Sequence, residues 1–119
     1  MKRSGLLSVA CLITLLGAGP AFAHAFLESA VPPVGATVAP PSEIRIIFSE
    51  GVEPIFCRVA LSGPGGAVPL GKPSVAPNDD KIMIVKIDGN LTPGTYTVKW
   101  QAVSVDTHHT QGDFDFTVK

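Results

Sequence analysis

Cysteine, basic residues and helical periodicity are all scarce in this sequence. Of its two cysteines, Cys11 and Cys57, the first falls in an N-terminal apolar run that reads as a removable leader. An exported domain would then keep one thiol and no internal disulfide, despite an oxidising compartment. Losing Lys2 and Arg3 with the leader takes the basic residues from nine to seven against ten acidic ones, a charge near −3. No basic cluster offsets that balance, which argues against nucleic acid as a partner. The apolar run also falls short of the roughly 20 residues that a membrane span needs.

The first 23 residues instead have the three parts of a secretory signal. Lys2 and Arg3 give a basic start, "GLLSVACLITLLGAG" is the apolar run, and "AFA" (21–23) is a small-x-small cleavage site. Cleavage after Ala23 leaves one small domain, residues 24–119, that begins with His24. Such a leader implies export, and the expected state of the domain is a monomer.

Within 24–119 the dominant pattern is alternation. "SEIRIIFS" (42–49) puts Ile44, Ile46 and Phe48 on one face, and "FCRVALS" (56–62) does the same with Cys57, Val59 and Leu61. "KIMIVKI" (81–87) is apolar on both faces and assigns Met83 to the core. "TYTVKWQ" (95–101) aligns Tyr96, Val98 and Trp100, and "DFDFTVK" (113–119) aligns Phe114, Phe116 and Val118. "VPPVG", "APPS", "SGPGG", "APNDD" and "LTPG" separate these runs with turn-forming residues. Period-two runs without a helical stretch predict an all-β domain, a small Greek-key β-sandwich or barrel of about seven strands.

The three histidines carry the chemistry. After cleavage His24 offers a free amine and an imidazole, which together close a six-membered chelate ring on one metal ion. In "SVDTHHTQGDF", Asp106 and His108 are two apart, so an extended segment turns both to one face and His109 to the other. A curled segment would loosen that distinction and make His109 a fallback ligand. His24, Asp106 and His108 supply an N, N, N, O donor set, which suits Cu(II). Amine and imidazole donors must lose protons near ~8 and ~6.5, so affinity should rise toward neutral pH.

Three stretches, "HAFLESAVPPVG", "IRIIFSE" and "GTYTVKWQAVSVDTHHTQGDFDFTV", make the chain resemble the copper-resistance protein C family of periplasmic copper-binding domains. The resemblance implies a cupredoxin-like or immunoglobulin-like β-fold and one Cu(II) per mature chain. It implies His24, Asp106 and His108 as ligands, with Glu50, which ends "FSE", orienting a ligand or a water beside them. Some members add a methionine-rich loop for Cu(I), whereas here only Met83 follows the leader.

The expected function is copper sequestration, homeostasis or resistance, or delivery to an inner-membrane copper transporter or another periplasmic copper protein, with no catalysis. The alternative is a copper-dependent oxidative enzyme, because lytic polysaccharide monooxygenases also build their copper site on an N-terminal histidine. An anionic Asp106 ligand opposes the reduction to Cu(I) that such chemistry needs. A metal-free sandwich used for adhesion or assembly would leave the histidine chelate without a role.

Overall fold

In the computed structural model, which describes residues 25–119, the alternating runs become strands with their apolar residues turned inward. The expected leader, Cys11 and His24 lie outside the described residues. The strands are β1 (Leu27–Val31), β2 (Thr37–Val38), β3 (Glu43–Phe48), β4 (Arg58–Gly63), β5 (Gly66–Val68), β6 (Ser74–Ala76), β7 (Asp79–Lys86), β8 (Gly94–Val103) and β9 (His109–Val118). Among the described residues the one helical piece is a 3-10 turn, Pro54–Phe56. Nine strands stand where about seven were expected. The short strands β2, β5 and β6 have only two or three residues each, too few to leave a periodic pattern.

Two sheets form, in the orders β1-β3-β7-β6 and β2-β9-β8-β4-β5. Neighbours are antiparallel except β2 and β9, which run parallel. The chain crosses between sheets after β1, β2, β3, β5 and β7. That interleaving locks the layers into one sandwich, as expected for an all-β domain.

Inward faces supply the core. Ile44, Ile46 and Phe48 from β3 and Met83 from β7 are wholly buried and meet Tyr96, Val98, Trp100, Phe114, Phe116 and Val118 from the second sheet. Each large side chain so buried contributes about 1.5–3 kcal/mol. Phe48 meets Trp100 edge-on with ring centroids 5.2 Å apart, and Tyr96 stacks on Phe116 at 5.6 Å. Gly112 pairs opposite Trp100, and a Cβ there would fall 2.7 Å from the indole Cζ2, so only glycine leaves the ring its place. At the start of β8 the Tyr96 hydroxyl donates to the Thr92 carbonyl at 2.7 Å, which ties the preceding loop to the sheet.

Two boundaries differ from the sequence reading. The 3-10 turn over Pro54–Phe56 delays β4 to Arg58 and leaves Ile55 and Phe56 exposed. Cys57 therefore precedes the strand, yet its side chain is buried as expected. Its thiol donates to the Glu53 carbonyl at 3.2 Å and accepts the Val103 N–H at 3.5 Å. The final strand begins at His109 rather than Asp113, so β8 and β9 form a long hairpin whose connection is residues 104–108.

Candidate metal centre

The β8–β9 connection is where the chain stops pairing and begins to present polar side chains. Val103 pairs with His109 as the last rung of the ladder. Beyond it Ser104 N–H donates to the His108 carbonyl at 2.9 Å, and Thr107 N–H donates to the Ser104 carbonyl at 2.8 Å. Thr107 takes φ 70°, the left-handed region in which L-residues other than Gly, Asn and Asp are uncommon. The segment is thus a tight turn, the curled one of the two geometries that the D-x-H spacing left open.

The turn nevertheless brings Asp106 and His108 together. Asp106 Oδ1 lies 3.1 Å from His108 Nδ1, and both side chains are partly exposed. Such a separation suits a direct hydrogen bond. It is also close to the spacing of two donors on adjacent corners of one metal ion, which bonds of about 2.0 Å at right angles hold about 2.8 Å apart. The Ser104 hydroxyl donates to Asp106 Oδ1 and accepts the His108 N–H at 3.2 Å. With the hydroxyl as the larger influence and His108 as the next, the Asp106 carboxyl is held down at about 2. It is therefore a ready anionic donor at any physiological pH.

Two further segments converge on this turn. The chain entering at Ala25 is buried, and the Thr110 hydroxyl of β9 donates to the Ala25 carbonyl at 2.7 Å. Phe26 N–H donates to Ser49 Oγ at 2.9 Å, and Ser49 N–H donates back to the Phe26 carbonyl at 2.8 Å. Past Ser49, the Gly51 carbonyl accepts the Val105 N–H at 3.0 Å, and Val52 bridges Ser104. Glu50, half-buried, lies between the residue bonded to Phe26 and the residue bonded to the turn.

Of the sequence-predicted residues, Asp106 and His108 stand side by side, and Glu50 lies on the neighbouring segment. His109 opens β9 with its side chain exposed. No group of three or more His, Cys, Asp or Glu suited to a metal forms among the described residues. Asp106 and His108 thus make half of the expected donor set, and His24, which carries the other half, lies outside the described residues. Sequence reading missed Ser104, Ser49 and Thr110. Serine and aspartate side chains commonly bond nearby backbone groups, and their closeness at 104 and 106 could have flagged a turn here. Thr110 offered no signal, because its partner lies 85 residues away.

No helix among the described residues is long and apolar enough to cross a membrane. The CopC domain family model matches residues 27–119. Protein YobA of Escherichia coli strain K12 is 40% identical over 119 residues, covering 98% of this chain and 96% of that protein. Copper resistance protein C of Escherichia coli is 38% identical over 107 residues, 83% of this chain and 84% of that protein. The fold matches the crystal structure of PcoC, a methionine-rich copper resistance protein from Escherichia coli. That match has a TM-score of 0.74 and 37% identity, over 82% of this chain and all of the PcoC chain.

Proposed function

The chain belongs to the CopC family, and on that premise we propose that it is an exported copper-binding protein that holds one Cu(II) in the periplasm and takes part in copper resistance. Copper is its cargo, to be sequestered or passed to a membrane transporter or another periplasmic copper protein. Asp106 and His108 are two ligands, and the amine and imidazole of His24 complete the set once the leader is removed after Ala23.

The observation that carries this reading is the hydrogen bond from Thr110 to the Ala25 carbonyl. It fixes the residue that follows His24 against the strand that begins one residue after His108. His24 directly precedes Ala25 in the sequence, so an anchored Ala25 supports a ligand role for it at this centre. Nitrogen and carboxylate donors suit Cu(II), whereas soft thioethers select Cu(I). PcoC is described as methionine-rich, but here the single methionine after the leader, Met83, is fully buried in β7. The chain therefore resembles that relative in fold while lacking the sulfur donors of a Cu(I) site. Glu50 has the role of orienting a ligand or a water beside Asp106 and His108.

The reading is tested by titrating the processed protein with Cu(II) under electron paramagnetic resonance. One equivalent should bind with a type 2 spectrum. Absence of a saturable one-equivalent site would overturn the proposal.

A further inference from the structure

We propose that Ser104 is the positioning residue of this centre, its buried hydroxyl holding Asp106 and His108 in the mutual orientation that a single metal ion requires. The inference deepens the copper reading and rests on it. Neither the expected ligand set nor the strand pattern assigns Ser104 any part.

Asp106 and His108 are exposed, and an exposed carboxylate and imidazole normally sample several rotamers. What restrains them is below the surface. Ser104 is fully buried, and no other polar or charged residue is so classed among the described residues. Its hydroxyl proton goes to Asp106 Oδ1, and its oxygen accepts the His108 N–H at 3.2 Å. One hydroxyl thus touches the carboxylate of one donor residue and the backbone of the other. The Ser104 main chain closes the same ring, donating to the His108 carbonyl at 2.9 Å and accepting from Thr107 at 2.8 Å.

The base of that ring is rigid because Val52 bridges Ser104 from the neighbouring segment, and Val103 before it pairs with His109. The hydroxyl is therefore fixed by the sandwich, and it in turn fixes the Asp106 carboxylate, which meets His108 Nδ1 at 3.1 Å, and the His108 backbone. Groups held in place before the metal arrives lose less freedom when it binds, which raises affinity without adding a ligand. Removing the hydroxyl should loosen the carboxylate and take from the His108 N–H its 3.2 Å contact to Ser104.

The test compares Ser104→Ala, Ser104→Thr and Ser104→Val in the full chain, processed through its own leader. Thr and Val have nearly the same shape and differ in the hydroxyl, so that pair remains informative if the alanine variant folds poorly. Cu(II) affinity is read by chelator competition, the coordination sphere by electron paramagnetic resonance, and the metal-free turn by hydrogen exchange at the His108 amide. Ser104→Val should bind Cu(II) at least about tenfold more weakly than Ser104→Thr, with altered copper hyperfine splitting and faster His108 exchange. Equal affinity and identical spectra for the two would overturn the inference. If the wild-type chain itself failed to bind Cu(II), the copper reading would fall. Unchanged His108 exchange between the two variants would then separately remove the role of the hydroxyl in holding the turn.

Discussion

Asp106 Oδ1 and His108 Nδ1 stand 3.1 Å apart across a turn whose middle residue, Thr107, adopts φ 70°. The pairing depends on that backbone conformation, because a fully extended segment would carry the two side chains apart along the strand. A β-branched residue in the left-handed region costs roughly 1–2 kcal/mol, and glycine removes most of it. Thr107→Gly should therefore raise thermal stability, by up to about 1 kcal/mol after the entropy of the freer unfolded chain is counted. Differential scanning calorimetry measures this, and a clear loss of stability would show that Thr107 supports the turn in another way.

The adjacent histidines should separate sharply. His108 lies beside Asp106 in the turn, whereas His109 is an exposed residue at the first rung of β9. His108→Ala should weaken Cu(II) binding by about a hundredfold or more, equivalent to at least ~2.8 kcal/mol. His109→Ala should change it little and alter stability by no more than about 0.5 kcal/mol. Chelator competition on both variants checks the distinction.

Thr110 links the start of the described chain to the centre. Thr110→Val deletes the hydrogen bond to the Ala25 carbonyl while keeping the side chain's shape. Stability should fall by about 1 kcal/mol, and Cu(II) affinity should fall more than that of a control variant equally destabilised elsewhere in β9. Equal affinity in Thr110→Val and that control would mean that the tether serves the fold alone.

Cys57 should take no part in the chemistry. Burial pushes its thiol above the usual 9.0, only partly offset by the Val103 N–H. The folded state thus favours the neutral thiol. Its contribution to stability is complete below pH 9.0 and is lost as pH rises through the higher folded value. Alkylation of the native protein at neutral pH should be slow and should accelerate on unfolding. Cys57→Ser should leave the copper spectrum unchanged, and intense thiolate-to-copper absorption that disappeared in this variant would contradict the assignment.

Much of this arrangement was legible in the sequence. Ile44, Ile46 and Phe48, and likewise Tyr96, Val98 and Trp100, announce their strands because every second residue is apolar and every one of these is buried. The strands β2, β5 and β6 were not legible, since pairing with neighbours and not their own composition defines them. The D-x-H spacing left both an extended and a curled segment open, and the left-handed turn at Thr107 is the curled one. Ser104 and Thr110 acquire their roles only when the β8–β9 hairpin closes and the Ala25 segment packs against it. Residue type alone could not reveal them.

The central claim is that copper is held partly by the free amine of His24, and one comparison tests it most directly. The processed chain beginning at His24 is set against a chain with one additional residue before it, with circular dichroism confirming that both fold. An amide nitrogen is a poor donor at neutral pH, so the extended chain should lose the chelate ring. It should bind Cu(II) at least about a hundredfold more weakly, a loss of about 2.8 kcal/mol, with fewer nitrogen couplings in its electron paramagnetic resonance spectrum. Identical affinity and identical nitrogen coupling in the two chains would contradict the account and assign Asp106 and His108 to a different kind of site.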